Sequence, residues 1–289
     1  MPPDMLAPAL TVLPDPLAED PPRASAFIVT LYGDVVEPRG GRLWMGTLID
    51  CCAGHGISES LVRTAVSRLV SAGRLEGDRI GRRSHYRLAA AARAEFGAAA
   101  QVLYTPPPAP QGWLLAPADQ PPAPGWAPLG GVALAPNRSD MPRPAGLVWS
   151  ADVVAGVADL PGLAAALWPV AEVGTAYAAF VARFAPLLDQ CRSDPPDATR
   201  ALALRLRLVH DYRLAALADP RLPQAALPAD WPGPAARRLF VTLYLTLAEA
   251  ADACIGSRFL DPDGLLPQAT AATDLRLDRL RREAARPSD

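Results

Sequence analysis

The sequence predicts an α+β fold: a short helical and hairpin unit first, a strand-bearing middle, and a run of long helices at the end. Three observations carry this. Gly56–Gly73, GISESLVRTAVSRLVSAG, has a capped start, a two-sided pattern and a glycine stop, the marks of an amphipathic helix. The next stretch, RLEGDRIGRRSHYRLA, places Leu75, Ile80, Tyr86 and Leu88 around a turn-forming GRRS, as a two-stranded hairpin does. From about Gly162 onward, apolar residues recur at helical spacing.

At 289 residues the chain is expected to hold two or three domains, each with its own core. With 50% hydrophobic residues it is not a disordered protein overall. Residues 1–23 are Pro-rich and acidic and are expected to form a disordered tail. No apolar run approaches the ~18 residues that span a bilayer, and no secretory leader is recognised, so a cytoplasmic protein without a membrane partner is expected. Of Cys51, Cys52, Cys191 and Cys254 only the first two are close; they match no zinc spacing and read as apolar-face thiols of one helix, in a reducing compartment. All 28 basic residues are Arg, a bias we ascribe to genome composition. Charge is uneven: residues 1–22 carry four acids and no Arg, whereas residues 23–88 carry ten Arg against six acids. A local positive excess in a chain of net charge −2 marks one anion-facing segment.

Taken in order, SAFIVTLYGDVV suits a helix capped by Ser25, although its β-branched residues would also suit a strand. EPRGGRLW is a loop, and LWMGTLIDCCAG a helix ending near Gly54. TPPPAPQG is a linker, and GWLLAPAD, GGVALAP and AGLVWSAD are short strands. Three long helical stretches follow: LAAALWPVAEVGTAYAAFVARFAPLLDQ, ATRALALRLRLVHDYRLAAL and PAARRLFVTLYLTLAEAADACI. A short charged helix closes the chain.

The helix after Gly56 carries the chemistry. Ser58 is its N-cap and Gly73 its stop. At ~100° per residue, Leu61, Val62, Ala65, Val66, Leu69 and Val70 share one half-circle. Ser60, Arg63, Thr64, Ser67 and Ser71 share the other, with Arg68 at the border. Short hydroxyls and Arg, nearly free of acid, suit a helix lying in a DNA major groove: small side chains permit close approach and Arg can chelate guanine. The short turn CCAGHGIS before it, and a hairpin with Arg79, Arg82 and Arg83 around Gly81 after it, complete a winged helix-turn-helix. The DNA-facing candidates are therefore Ser60, Arg63, Thr64 and Ser67, with Arg68 directed to the backbone and Arg79, Arg82 and Arg83 in a wing that lies along phosphates or in the minor groove.

The landmarks TLYGD with PRGG, VRTAVSRLV with AGRLE, and GRRSHYRL resemble the N-terminal domain of PaaX-type repressors of phenylacetic acid degradation. LWPVAEVGTAYAAFVARFAPL and LVHDYRLAALADPRLPQAALPADWPGPAARRLFVTLY are similar to that family's later segments. The resemblance covers most of residues 25–255. It implies a homodimeric transcriptional repressor that binds double-stranded operator DNA and is released by an aryl-acyl-CoA such as phenylacetyl-CoA, with no bound cofactor or metal. It also implies three domains: a winged helix at 24–100, then, after a linker at 101–112, a ferredoxin-like middle domain with its connecting helix at 113–190 and a helical effector and dimerisation domain at 191–289. Between WLLAPAD and GWAPLGGVALAP the family has a helix, but this chain has only QPPAP, so the middle domain is expected to be small and degenerate.

HDYR, His210–Arg213, reads as a buried polar network tying C-terminal helices together. His55 is a turn residue, and His85 a hairpin residue able to touch phosphate. Trp231 reads as the anchor of a Pro-stiffened loop; the alternative is an effector site of Trp231, Arg237 and Arg238, with the two arginines at a helix start where a CoA phosphate could bind. Two alternatives remain: a regulator of the same fold with a different or lost ligand, and a metal-dependent nuclease using Asp119 of the middle domain.

Overall fold

The computed structural model describes residues 20–118 and 123–286. Most of the acidic tail and Asp119 lie outside the described residues.

Helix α1 (Ala24–Leu31) confirms the helical alternative for SAFIVTLYGDVV, but Ser25 does not cap it. The N-cap is Arg23, still extended at φ −61° and ψ 125° after Pro21 and Pro22, so Ser25 already lies in the first turn. Ile28 and Thr30 are buried along with Phe27 and Leu31, and this packing outweighs the β-branched preference for strand. The helix then widens into one π turn at Tyr32–Val36 and tightens into a 3-10 turn at Glu37–Arg39. Strand β1 (Arg42–Trp44) leads into α2 (Met45–Ala53), and a tight turn into α3 (Glu59–Ser71). β2 (Leu75–Ile80) and β3 (Arg83–Leu88) pair antiparallel from Leu75↔Leu88 to Ile80↔Arg83, and β1 adds to the other edge of β3. Helix α4 (Ala90–Tyr104) follows directly and runs through residue 100, where the sequence ended the first domain.

The middle sheet consists of β4 (Trp113–Pro117), β5 (Ala127–Leu129), β6 (Val132–Pro136) and β7 (Trp149–Ala151). Its order is β5-β6-β4-β7, and every neighbouring pair is antiparallel. Among the described residues no helix joins β4 to β5 or β6 to β7. Helix α5 (Leu160–Leu167) covers one face, where Trp113 stacks on Trp168 with ring centroids 5.9 Å apart. Loop residues Trp126 and Met141 cover the other.

The rest is helical: α6 (Val170–Ser193), α7 (Ala198–Ala216), α8 (Gly233–Arg258), a two-stranded ribbon β8 (Leu260–Asp261) and β9 (Gly264–Leu265), and α9 (Ala271–Ala284). The middle sheet packs clusters of its own, as a separate core requires, but the first and last segments share one. One apolar cluster runs without interruption from α1, α2 and α3 through α4 into α6, α7 and α8. α8 is also long and apolar enough to cross a membrane by length and composition, contrary to the sequence reading; its apolar side chains are spent on this core. All four cysteines are buried and free.

A network of buried charge holds the first segment against the last. Asp34, in the π turn, is 1% exposed. Its Oδ1 accepts from Tyr104 at 2.8 Å, Tyr244 at 2.9 Å and Arg276 at 2.9 Å, and its Oδ2 from Arg205 at 3.1 Å. Arg205 and Arg39 each donate to Asp252 Oδ1 at 2.6 Å. The π turn displaces backbone carbonyls from the helical ladder, and Arg276 captures that of Asp34 at 2.9 Å. Burial pushes the Asp34 carboxyl up, but Arg205, Arg276 and the two tyrosine hydroxyls hold it below the usual carboxylate range.

Replacing Asp34 by Ala leaves Arg276 buried without its carboxylate and Arg205 with Asp252 alone, and is expected to cost about 3–5 kcal/mol in urea unfolding. Because its pKa is depressed, Asp34 stabilises fully above about pH 4 and loses that contribution only below. Two histidines act in a higher window. Burial lowers His210 to about 3 and His55 to about 4, against an unfolded value of about 6.5. The unfolded chain therefore binds protons that the folded one excludes, and stability falls from pH 6.5 toward pH 4 by a few kcal/mol. Urea midpoints across that range should show this fall, and His210→Gln should remove about half of it.

Candidate nucleic-acid interface

Helix α3 is built as its sequence implies. Ser58 Oγ accepts from the Leu61 N–H at 3.5 Å. At the other end Gly73, at φ 65°, supplies the left-handed residue of a Schellman stop, with Arg74 N–H to Leu69 O and Gly73 N–H to Val70 O both 2.9 Å. Val62, Ala65, Val66 and Leu69 are buried. Ser60, Arg63, Thr64, Ser67, Arg68 and Ser71 are all exposed.

The buried stripe is narrower than expected. Leu61 is 57% exposed and Val70 38%, so neither belongs to the core. They lie on opposite shoulders of the helix, beyond the stripe that packs against α1 and α2.

The turn before α3 is pinned from behind. His55 is 4% exposed and packs on Phe27 with centroids 4.2 Å apart. Its Nδ1 lies 3.0 Å from Cys51 O and its Nε2 3.1 Å from Ala203 O on α7. Sequence reasoning placed His55 in the turn but carried no signal for this long-range contact.

The hairpin after α3 turns through Gly81 and Arg82. Gly81, at φ 61°, takes the left-handed position that a two-residue turn requires. Arg79, Arg82 and Arg83 are exposed, and the Arg83 guanidinium lies 4.7 Å over the Trp44 ring. His85 does not face solvent as expected for a phosphate contact: it is 4% exposed on the central strand, opposite Trp44 and Asp78. Its Nδ1 has no hydrogen-bond partner among the described residues.

The local positive excess is divided. Arg39 is buried on Asp252, Arg63 pairs with Glu59 at 2.7 Å, Arg87 with Glu76 at 3.0 Å, and Arg74 with Glu95. Among the described residues no carboxylate lies within 4.0 Å of Arg68, Arg79, Arg82 or Arg83. Uncompensated charge is thus concentrated on the hairpin tip and one shoulder of α3.

The C-terminal candidates fare differently. Arg237 is 8% exposed and forks onto Glu283 with two 2.7 Å bonds, while donating to the carbonyls of Leu103 and Thr105. Its donors are therefore spent inside the protein, which corrects its assignment to a ligand phosphate. Arg238 is exposed. Trp231 anchors its loop, edge-on to Tyr177 at 5.9 Å. The HDYR network forms, but reaches beyond the C-terminal helices: His210 Nδ1 lies 3.0 Å from Thr30 Oγ1 on α1, and Asp211 holds Arg183 and Arg207. Among the described residues no group of three or more His, Cys, Asp or Glu could hold a metal ion.

Known proteins resemble the chain throughout this region. The model for PaaX-like protein matches residues 23–92, and that for the PaaX-like protein C-terminal domain residues 168–257. The transcriptional repressor PaaX of Escherichia coli (strain K12) is 34% identical over 282 residues, covering 86% of this chain and 87% of that one. The solved structure of the uncharacterized protein Rv0674 from Mycobacterium tuberculosis is 21% identical, with a TM-score of 0.48, covering 81% of this chain and 99% of that one. On the identity and extent of the Escherichia coli match, together with both family models, the chain belongs to the PaaX-like protein family.

Proposed function

We propose that this chain is a transcriptional repressor, not an enzyme, and that it reads double-stranded operator DNA through a winged helix-turn-helix. One observation carries the reading: the acid-poor face of α3 and the uncompensated arginines of the adjoining hairpin are exposed on consecutive elements. On this reading α2 and the pinned turn support α3 in the major groove, and the β2–β3 hairpin is the wing along the phosphates. The repressor function named for the Escherichia coli relative supports the same assignment.

The protein acts, in this proposal, as a cytoplasmic homodimer released from DNA by an aryl-acyl-CoA of the phenylacetyl-CoA type. The middle sheet supports descent from a ferredoxin-like domain. Counting β4 to β7 as first to fourth, the order is that of a split β-α-β pair, with no crossover helix among the described residues. That absence, and the engagement of Arg237, also support a second reading, a regulator of the same fold with a different or lost ligand. The nuclease alternative rests on Asp119, outside the described residues.

Gel-shift titrations against the chain's own promoter test the DNA assignment. Arg63→Ala should cost about 1–3 kcal/mol of sequence discrimination, since a base-chelating Arg reads one position. Arg82→Ala should weaken all sequences alike and lower the salt slope by about one. Unchanged affinity in both variants would overturn the assignment. Thermal-shift titration with phenylacetyl-CoA separates the two effector readings, because only a ligand-responsive chain gains stability. In calorimetry, Arg238→Ala should weaken that ligand, whereas Arg237→Ala should lower the melting temperature through the orphaned Glu283.

A further inference from the structure

Most interior arginines have a carboxylate. Arg39, Arg205, Arg237 and Arg276 each reach one within 3.1 Å. Arg213, half-buried on α7, is different. Among the described residues no carboxylate lies within 4.0 Å of it, and its Nη1 donates only to neutral acceptors, Ala26 O at 3.1 Å and Thr30 Oγ1 at 3.2 Å. Burial holds its pKa below the usual Arg value.

This cation stands on the wall of a cleft between α1, α4 and α7. The cleft measures about 450 Å³ including its mouth, and it opens to solvent. Val29, Phe96, Ala99, Leu103, Val209 and Leu217 make its walls apolar. Two carboxylates also line it, Glu95, paired with Arg74, and Asp34, held by Arg205 and Arg276.

Apolar walls beside one cation with no carboxylate within ion-pair distance are the complement of a small apolar acid. Hydrocarbon would replace water along Phe96, Leu103 and Val209, and a carboxylate would give Arg213 the partner it lacks. The Glu95 charge at the wall disfavours a second carboxylate on the ligand.

We propose that the cleft between α1, α4 and α7 is a ligand site for a small apolar monocarboxylate, with Arg213 as its counter-ion. Its walls are helices of the DNA-facing segment on one side and α7 on the other. Occupancy therefore bears on how these are held together. That consequence rests on the repressor reading, but the binding itself does not.

Calorimetry on the full chain, without DNA, tests the site with phenylacetate, benzoate and the uncharged 2-phenylethanol. The acids should bind saturably and at least about tenfold tighter than the alcohol, the difference a charge-assisted bond makes. Arg213→Met should abolish that difference. Ala100→Leu, which fills the cleft, should weaken acids and alcohol together with little change in melting temperature, and keeps the test valid if Arg213→Met fails to fold. Equal affinity for acid and alcohol, absence of saturable binding up to about 10 mM acid, or unaltered binding in Ala100→Leu would overturn the proposal. Because DNA is absent, a failed operator assay leaves this result standing.

Discussion

Asp34 is the charge on which the arrangement of the helices depends. A carboxylate without solvent is tolerated only when its lone pairs are filled, and here the donors arrive from α4, α7, α8 and α9 at once. Apolar packing of equal volume could give as much stability. What a fully satisfied carboxylate adds is geometry, since the four donors converge only when all four helices are in place. Asp252 extends the constraint through its shared contacts with Arg205 and Arg39. Three arginines face two aspartates, and the extra positive charge is met by carbonyls, tyrosine hydroxyls and the Tyr244 ring, 5.3 Å from the Arg205 guanidinium.

This constraint explains why the first segment and the last share one core. The candidate interface is not a bead on a linker: α1 is bolted to α7 by His210 and Thr30, and the turn before α3 by His55 and the Ala203 carbonyl. Both contacts are made by α7. Any displacement of α7 therefore reaches the start of α3 through packed atoms, and the cleft beside Arg213 lies along the same helix.

Local features were legible in the sequence and distant ones were not. Ser58, Gly73 and Gly81 announce a cap, a stop and a turn because each acts within a few residues of itself. The eight DNA-facing candidates are all exposed for the same reason: a helical period of 3.6 and a hairpin turn are local geometry. Leu61 and Val70 escaped because periodicity gives direction but not how far a neighbouring helix extends over the shoulder. Asp34 escaped because YGDVV looks like an ordinary helix end, and its four partners lie 70 to 242 residues away. Arg237 was misread since a helix-start Arg looks equally apt for a phosphate and for Glu283, and only the fold brings α9 alongside.

The absence of lysine takes on a structural meaning in this light. Genome composition can explain why every cation is Arg, but it does not explain what the interior does with them. Arg205 uses one edge of its guanidinium on Asp34 and another on Asp252, and Arg237 covers both oxygens of Glu283 while also serving two carbonyls. A lysine ammonium carries three donors on a compact head and a flexible stem; it lacks the planar fork that fixes two partners at a set angle. The same planar group, left without a carboxylate at Arg82 and Arg83, is suited to bidentate contact with phosphate. Buried forks fix the helices and exposed forks face outward, so where each carboxylate falls decides which arginines remain available to a ligand.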